Sequence, residues 1–411
     1  MPGGFEILQE RGFLKQCSDE GALKNMLENE QVTFYVGFDP TYPSLHVGHL
    51  IPLFAMSHLQ RAGHKPIALV GGGTARIGDP SGKSEMRRML SIDTIKQNGE
   101  VLKEQISRFI DFSGNNAVLV DNADWLASLN YIEFLRDIGR HFSVNRMLSF
   151  ETYKIRLETG LSFIEFNYQL LQSYDFLVLF QKHGCRLQMG GDDQWGNIVS
   201  GMELVRRVES ADVYALTHPL VTRADGKKMG KTEKGALFLD AGITEVYDFY
   251  QYWVNIPDQY VEKFLLLYTY LPVKEIKELA ALKDNKINEA KEILAYELTA
   301  AVHGREEADK AREASRALFK KDGKAGLDAM PSIEIDGSEL QNGINILDLF
   351  SRTELCSSKS EARRLVTQGG AYVNDVNLTD IDTMIVSDMV KDGMILLRAG
   401  KKRYFRIIVK N

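Results

Sequence analysis

The 411-residue chain is long enough for two or three domains, and its 44% hydrophobic and 26% charged residues are typical of a globular protein, which excludes a disordered or fibrous one. Its net charge of −6 excludes a protein that binds nucleic acid through a global basic excess. It has no run of about 18 apolar residues and no apolar N-terminal segment, so we expect no membrane span, no signal peptide and a cytoplasmic location.

The first predicted elements are a strand and a helix. Residues 32–38 are β-branched and aromatic and are closed by Asp39-Pro40, which predicts a buried strand. A helix is predicted over residues 47–62. His46-Val47-Gly48-His49 stands at its start, where two histidines face one side and free backbone N–H groups favour anions, while Gly48 leaves room for a nucleotide. Capping or surface histidines would explain the pattern alone, but its place after a buried strand favours a function.

Two more strands are predicted at residues 66–71 and 117–120, with helical stretches between them. This alternation predicts a doubly wound parallel sheet, which binds ligands at the carboxyl ends of its strands. A glycine-rich segment at such an end, residues 71–84, imitates a phosphate-binding P-loop. Ile77 stands where that motif needs glycine, so we reject a P-loop NTPase. The segment keeps a carboxylate and two cations: Asp79, Lys83 and Arg87.

An apolar helix predicted over residues 163–181 carries a polar stripe. Tyr168, Gln172 and Asp175 fall at i, i+4 and i+7 on one face. A polar outer face is the alternative, but the apolar neighbours favour a pocket wall, to which Tyr35 of the first strand can add a phenol.

A glycine pair follows a short strand predicted at residues 184–187. Gly191 and Asp193 at the strand's end suit a ribose hydroxyl or another polar substrate group.

Lys228-Met229-Gly230-Lys231-Thr232 forms a glycine-containing loop after an extended segment at residues 216–222. Two lysines in such a loop can neutralise a departing pyrophosphate. A solvated loop is the alternative for an isolated segment. Together with the histidine turn, the loop indicates an enzyme that activates a carboxylate with ATP.

The rest of the chain is divided by composition. Residues 244–320 are helical and charge-rich and predict a separate domain, residues 321–343 read as a linker, and a compact unit follows at 344–411. Residues 345–411 contain 11 Lys and Arg against 8 Asp and Glu, a modest basic excess that suits RNA. Phosphate contact and a solvated helix face are the two interpretations of its clustered cations, Arg352, Lys359, Arg363 and Arg364.

The histidine and lysine segments, taken together, resemble the HIGH and KMSKS signatures of class I aminoacyl-tRNA synthetases. Nearly the whole chain is similar to the bacterial tyrosyl-tRNA synthetases, although Gly230 stands where the class signature has serine, a change that the tyrosyl enzymes accept. Residues 355–374 resemble the small RNA-binding fold named after ribosomal small-subunit protein four. The matching motifs are Tyr35-Val-Gly37-Phe-Asp39-Pro-Thr41, Ile77-Gly-Asp79-Pro-Ser-Gly, Phe142-Ser-Val-Asn145, Tyr168-x₃-Gln172-x₂-Asp175 and Gln188-x-Gly-Gly-x-Asp193-Gln194-Trp-Gly-Asn.

The resemblance implies a fold and a reaction. The fold is α/β: a Rossmann-like catalytic domain over residues 1–243, a helical domain over 244–320 near the anticodon, the linker, and a small α+β RNA-binding domain over 344–411. The reaction joins L-tyrosine to tRNA(Tyr) through tyrosyl-adenylate, with ATP and its Mg²⁺ consumed as substrate. The family also forms homodimers, for which residues 134–147 are a candidate interface.

The resemblance also implies roles for individual residues. Tyr35 and Asp175 would bind the phenol hydroxyl of tyrosine. The α-ammonium group would contact Asp79, Tyr168 and Gln172, and the carboxylate side would contact Gln194. The phosphates would contact Thr41, His46, Lys83, Arg87, Lys228 and Lys231. The remaining nucleotide contacts would come from Gly37, Asp39, Gly48, His49, Gly191, Asp193 and Thr232.

Three alternatives remain open at this point. A tryptophanyl enzyme of the same class lacks a reason for the Tyr35 and Asp175 pair, because a substrate without a hydroxyl would leave those groups unpaired. A small-molecule adenylyltransferase could share the His-x-Gly-His turn but would not need a basic RNA module. A non-enzymatic RNA-binding protein would have lost motif residues, and none is lost here.

Three scattered cysteines, without metal or disulfide spacing, predict a reducing compartment and no structural metal.

Overall fold

The computed structural model describes residues 3–81, 89–221, 231–232, 235–319, 330–341, 343–391, 393–400 and 403–410. Lys83, Arg87 and Lys228 lie outside the described residues, and only the backbone of Lys231 and Thr232 is described. The chain forms two compact units: residues 1–244 with 252–304, and residues 245–251 with 305–411.

A six-stranded sheet organises the first unit. Its strands are β1 (Gln16–Cys17), β2 (Thr33–Phe38), β3 (Lys65–Val70), β4 (Val118–Asp121), β5 (Leu187–Gly191) and β6 (Tyr214–His218). The order is β1-β6-β5-β2-β3-β4, with β2 to β6 parallel and β1 antiparallel to β6. The predicted doubly wound parallel sheet is confirmed. Its direction of winding reverses between β2 and β5, the position where such sheets open a ligand crevice.

Helices and one small hairpin complete this unit. The helices that precede or flank the sheet are α1 (Gly4–Glu10), α2 (Glu20–Asn29), α3 (Leu50–Arg61), α4 (Ile92–Ser107), α5 (Ala123–Leu126), α6 (Tyr131–Asp137), α7 (Val144–Leu148), α8 (Glu151–Thr159), α9 (Phe163–His183) and α10 (Trp195–Glu209). The hairpin joins β7 (Lys231–Thr232) to β8 (Gly235–Ala236). The later helices are α11 (Val246–Val254), which contributes residues to both units, α12 (Val261–Tyr268), α13 (Val273–Ala280) and α14 (Ile287–His303).

Both ends of α9, the helix with the predicted polar stripe, are fixed by local interactions. Ser162 and Glu165 form a reciprocal capping box at its start. Glu165 also pairs with Arg156 of α8 at 3.0 Å, and both side chains are only 2% exposed. Gly184 ends the helix in the left-handed conformation, with φ of 61°. The strand predicted at residues 184–187 is therefore wrong in its position, because Gly184 caps α9 and the strand begins only at Leu187.

The second unit contains a five-stranded sheet. Its elements are α15 (Arg305–Phe319), β9 (Ser332–Asp336), α16 (Gly337–Gln341), β10 (Ile344–Asn345), α17 (Ile346–Ser351), α18 (Lys359–Thr367), β11 (Ala371–Val373), β12 (Val376–Asn377), β13 (Met384–Ile385), β14 (Met394–Ala399) and β15 (Arg403–Lys410). The larger sheet has the order β12-β11-β14-β15-β9, and β10 pairs separately with β13. The core packs side chains of α17 and α18 against one face of this sheet.

Part of the predicted linker belongs to this sheet. Strand β9 pairs in parallel with β15, and Ile335 enters the core. The linker prediction is wrong over residues 332–341, because the alternation of Ile333 and Ile335 with acidic residues outweighs the flanking glycines. The boundaries predicted at residues 243 and 320 stay predictions; the structure groups residues 252–304 with the first unit. Among the described helices, none is both long and apolar enough to cross a membrane.

Candidate active site

A buried carboxylate, Asp175, lies on α9 behind the carboxyl ends of β3 and β4. Its Oδ2 accepts a hydrogen bond from Asn122 Nδ2 at 2.9 Å, and its Oδ1 accepts one from Trp125 Nε1 at 2.8 Å. The side chain is 1% exposed, and this burial raises its pKa to about 8, against the two hydrogen bonds and with smaller contributions from Asp39 and Asp121. A carboxyl group held in this way can form a further hydrogen bond with the hydroxyl group of a ligand.

The phenol of Tyr35 is buried near Asp175. Tyr35 is 1% exposed, its ring meets Phe176 edge-on at 5.4 Å, and its Oη has no hydrogen-bond partner among the described residues. Burial and then the charge of Asp175 raise the pKa of this phenol. A buried hydroxyl without a partner is costly in a folded protein, so this one indicates a place where a ligand supplies the missing hydrogen bond.

Polar side chains connect Asp175 to the end of β2. Asn122 Nδ2 also donates to Thr74 Oγ1 at 3.0 Å, and Thr74 Oγ1 donates to Asp39 Oδ1 at 2.8 Å. The other oxygen of Asp39 accepts a hydrogen bond from Tyr168 Oη at 2.8 Å. These hydrogen bonds form one network that spans α9 and the ends of β2, β3 and β4. Its members are Asp39, Thr74, Asn122, Tyr168 and Asp175.

The sequence does not single out Asn122, Trp125 or Thr74. Asn122 follows β4 directly, so its position at the carboxyl end of a predicted parallel strand was a usable signal. Trp125 and Thr74 carry no such signal, because their roles arise only when the strands pair.

A second polar chain begins at Asp79, which is 8% exposed. Its Oδ2 accepts a hydrogen bond from Gln194 Nε2 at 2.7 Å, and its Oδ1 accepts one from the backbone N–H of Ser81 at 2.9 Å. Asn197 Nδ2 in turn donates a hydrogen bond to Gln194 Oε1 at 3.2 Å, which holds the Gln194 amide in place. Gln172 is half-buried on α9, one turn after Tyr168. The structure thus brings Asp79 and Gln194 into direct contact, a hydrogen bond that the sequence analysis did not predict.

The histidine turn is a single turn of 3₁₀ helix, Val47–His49, that leads into α3. His46 Nδ1 accepts a hydrogen bond from the backbone N–H of Gly48 at 3.0 Å, and His49 Nδ1 accepts one from the backbone N–H of His46 at 3.1 Å. The ring centroids lie 4.1 Å apart. Because both Nδ1 atoms accept, each neutral ring carries its proton on Nε2 and presents an N–H donor.

The position of Gly48 requires a glycine for a second reason, besides the predicted space for a nucleotide. A Cβ atom at this position would lie 2.8 Å from His46 Cε1 and 3.0 Å from His46 Nδ1. The imidazole therefore occupies the space that a side chain would need, so a larger residue at position 48 would displace His46.

An opening over the sheet lies beside β2. Gly37, in the middle of this otherwise buried strand, is exposed. Gly191 ends β5, and a Cβ atom there would lie 2.7 Å from Oδ1 of the half-buried Asp193. Thr41 is half-buried just beyond β2. These four residues lie in or just after β2 and β5, at the switch point of the sheet, which is where its direction of winding reverses. Sheets of this kind bind their ligands at such a position.

The cations predicted to contact RNA lie in the second unit. Arg352 forms an ion pair with Glu339 at 2.6 Å, and Lys359 forms one with Asp348. Arg363 and Arg364 are exposed on α18. The described residues contain no group of three or more His, Cys, Asp or Glu side chains arranged to hold a metal ion.

Comparison with known proteins gives a consistent family. The family model "tRNA synthetases class I (W and Y)" matches residues 27–320, and "Tyrosine--tRNA ligase SYY-like C-terminal domain" matches residues 322–407. The chain is 56% identical to the tyrosine–tRNA ligase of Treponema denticola over 99% of this chain and 100% of that protein. It is 54% identical to that of Acetivibrio thermocellus over 99% of both chains.

The fold is also similar to solved structures. A C-terminally truncated mitochondrial tyrosyl-tRNA synthetase of Aspergillus nidulans aligns with a TM-score of 0.71 and 30% identity, over 78% of this chain and 95% of that chain. The tyrosyl-tRNA synthetase of Archaeoglobus fulgidus, solved with L-tyrosine, aligns with a TM-score of 0.56 and 18% identity over 75% of this chain and 99% of that chain, a likeness in fold.

The pKa of Asp175 makes a prediction for stability. Because the folded state holds this proton up to about pH 8, the stability contributed by the protonated carboxyl is complete below pH 4 and is lost as the pH rises through 8. Replacing the side chain in Asp175→Asn removes that loss, so the free energy of unfolding of the variant should gain up to about 6 kcal/mol relative to that of the unchanged protein between pH 4 and pH 9. Urea unfolding at a series of pH values measures this difference.

The exposed Asp212 supplies the control, since Asp212→Asn makes the same substitution at the surface and should change the free energy of unfolding by less than about 0.5 kcal/mol. Parallel pH curves for Asp175→Asn and the unchanged protein would show that Asp175 is ionised throughout this range.

Proposed function

The chain belongs to the class I tRNA synthetases of the tryptophan and tyrosine type, and we infer from this family and from the site that it is a tyrosine–tRNA ligase. It activates L-tyrosine with ATP to tyrosyl-adenylate and pyrophosphate and then transfers tyrosine to the terminal adenosine of its tRNA. The observation in the site that carries this conclusion is the buried Tyr35 hydroxyl beside Asp175, because it matches the one group that distinguishes tyrosine from phenylalanine.

The amino-acid pocket follows from this pair. The substrate phenol would donate to Asp175 and accept from Tyr35, which removes the unpaired buried hydroxyl of the ligand-free site. Phenylalanine would leave the buried Tyr35 hydroxyl unpaired, at a cost of about 1–3 kcal/mol, and would offer Asp175 no hydroxyl in addition to Asn122 and Trp125. Asp79, Tyr168 and Gln172 would hold the α-ammonium group, and Gln194, fixed by Asp79, would contact the carboxylate side.

Adenylate formation needs no nucleophilic side chain. The tyrosine carboxylate oxygen attacks the α-phosphorus of ATP, a new P–O bond forms, and the bond to the β-phosphate breaks to release pyrophosphate. Catalysis then consists of positioning and of stabilising charge on the phosphates. The Nε2–H groups of His46 and His49 supply two donors for this purpose.

The remaining nucleotide contacts are proposed around the switch point. Gly37, Asp39, Gly48, Gly191 and Asp193 would contact the nucleoside. The phosphates, with the Mg²⁺ that ATP brings as part of the substrate, would contact Thr41, Lys83, Arg87, Lys228, Lys231 and Thr232.

In the second step a ribose hydroxyl of the tRNA attacks the tyrosyl carbonyl, and AMP leaves. The second unit would hold the tRNA through Arg352, Lys359, Arg363 and Arg364, while residues 244–320 would lie near the anticodon. Of these cations, the exposed Arg363 and Arg364 on α18 suit phosphate contact best, because Arg352 and Lys359 are already paired with carboxylates.

We also propose a cytoplasmic homodimer. Phe134 and Met147 are buried in a shared cluster with Leu170, so α6, α7 and α9 pack together. Apolar side chains of the same three helices are exposed in the single subunit, among them Tyr131, Ile132, Leu135, Val144 and Phe163. An exposed apolar surface of this kind is typical of a subunit interface.

The function is tested by ATP–pyrophosphate exchange. We expect tyrosine-dependent exchange, and in Tyr35→Phe we expect the preference for tyrosine over phenylalanine to fall about tenfold, since one hydrogen bond to the substrate hydroxyl is lost. Tyr268→Phe changes another buried tyrosine, on α12, and should keep the preference. No exchange by the unchanged protein would refute the function, whereas an unchanged preference in Tyr35→Phe would refute only the role of Tyr35.

The role of α18 is tested by the double variant Arg363→Glu/Arg364→Glu. Charge reversal should weaken tRNA binding strongly, because it replaces attraction to phosphate by repulsion, and should leave ATP–pyrophosphate exchange unchanged. Aminoacylation at a series of tRNA and salt concentrations measures the effect. Lys391→Glu reverses another exposed charge of this unit and serves as control; equal losses in both variants would contradict a specific role for α18.

The interface is tested by Ile132→Glu, which places a charge at a side chain that is 69% exposed in the single subunit. The variant should dissociate into monomers, as measured by sedimentation velocity, because a buried unpaired charge opposes association. Val208→Glu on α10, where the apolar side chain is 38% exposed, should remain dimeric. A monomeric unchanged protein, or a dimeric Ile132→Glu variant, would argue against this interface.

A further inference from the structure

Two aromatic side chains outside the recognised motifs flank the imidazole of His46. The Tyr42 ring meets it nearly edge-on, with centroids 6.3 Å apart and planes at 72°. The Phe238 ring does the same from another side, at 6.4 Å and 70°. Tyr42 and Phe238 are themselves 6.0 Å apart, so the three rings form a closed cluster.

The backbone around Phe238 is bonded to the histidine turn. The backbone N–H of Val47 donates to Leu237 O at 3.0 Å, and that of Leu239 donates to Leu45 O at 2.8 Å. These bonds make residues 45–47 and 237–239 a short antiparallel pair with His46 opposite Phe238.

Side-chain hydrogen bonds hold one end of this antiparallel pair, and its other end continues into the hairpin of β7 and β8, which contains Lys231 and is called the lysine hairpin below. Ser44 Oγ accepts the backbone N–H of Asp240 at 3.1 Å, and Gln105 holds Ser44 and Leu45 in turn. Phe238 comes two residues after β8, which pairs with the strand that carries Lys231. The pairing therefore gives the histidine turn and the lysine hairpin a common support.

The rings matter because of how His46 uses its nitrogens. Its Nδ1 accepts from Gly48, so the ring has one donor, Nε2–H, and the direction of that donor depends on the ring's torsion angles. The backbone bond and the contact with His49 limit the ring from one side, and Tyr42 and Phe238 limit it from the other. Together they leave the imidazole little freedom to rotate.

We propose that Tyr42 and Phe238 are positioning residues for His46, which keep its Nε2–H directed at the ATP phosphates and join its orientation to that of the lysine hairpin. The proposal rests on the proposed function, since it concerns the same reaction. Neither residue touches a reacting atom; both act through the imidazole. Their loss should lower the rate of adenylate formation and leave the tyrosine pocket, built on β2, β4 and α9, unaffected.

The test uses single-turnover formation of tyrosyl-adenylate with the full chain. Phe238→Ala and Tyr42→Ala should each lower the rate constant about tenfold or more, as expected when a catalytic donor loses its alignment. The dissociation constant of tyrosine should stay within about twofold of its usual value. Phe238→Tyr and Tyr42→Phe keep the flanking rings and should restore the rate.

A double-mutant cycle shows whether the effect passes through His46. In a His46→Ala background, Phe238→Ala should cause no further loss, because the ring that it orients is gone. Tyr260→Ala is the matched control: it removes a half-buried ring that stacks on Phe264, away from His46, and should leave the rate unchanged. Since Tyr42 is 43% exposed, Tyr42→Ala decides the matter if Phe238→Ala does not fold.

Several results would overturn the proposal: unchanged rates in the alanine variants, losses that add to that of His46→Ala, or an equal loss of tyrosine affinity. Absence of tyrosine-dependent activity in the unchanged protein would instead refute the proposed function, so the two failures are distinguishable.

Discussion

The burial of one carboxyl group, Asp175, sets the arrangement of the site. A carboxyl group removed from water is costly unless its oxygens are bonded, and here Asn122 and Trp125 bond one oxygen each. Those two residues lie just after β4, whereas Asp175 lies on α9, so the group can be accommodated only when sheet and helix are assembled. The same Asn122 donates a hydrogen bond to Thr74, which in turn donates to Asp39, and Tyr168 donates to Asp39 as well. One hydrogen-bonded network therefore joins residues of the proposed amino-acid pocket to Asp39 on the proposed nucleotide side.

The parallel sheet brings the residues of the site together from distant parts of the chain. Because the winding reverses between β2 and β5, the loops after these strands diverge and leave Gly37 exposed over the sheet. The side chains that border this opening come from segments far apart in sequence, such as Asp79 and Gln194, which meet at 2.7 Å. In the proposed function, Tyr35 and Asp175 would select the amino acid, whereas the histidine turn, on a different segment of the chain, would contact the phosphates.

The sequence predicted the features that local patterns encode. The strands before His46 and Asp79, the helix with Tyr168 and Asp175, and the histidines at a helix start follow from hydrophobic periodicity and glycine placement. Trp125 and Phe238 were not predictable in this way, because each acquires its role from a partner that is distant along the chain. Asn122 was marked only by its position directly after β4. Strand β9 was missed because the surrounding glycines were interpreted as a linker, although Ile333 and Ile335 alternate with acidic residues as in a strand.

The position of β15 in the second sheet has a consequence for how the protein is made. This strand lies between β14 and β9, so residues 403–410 supply partners to strands on both sides. During synthesis on the ribosome, β9 emerges long before β15, the strand with which it pairs. Its apolar Ile335 therefore cannot be buried in the complete core until β15 has also emerged. The sheet of the first unit is complete by β6. A nascent chain can therefore form the parallel sheet of the first unit early, whereas the second sheet, in the unit proposed to hold the tRNA, is complete only after β15 has been synthesised.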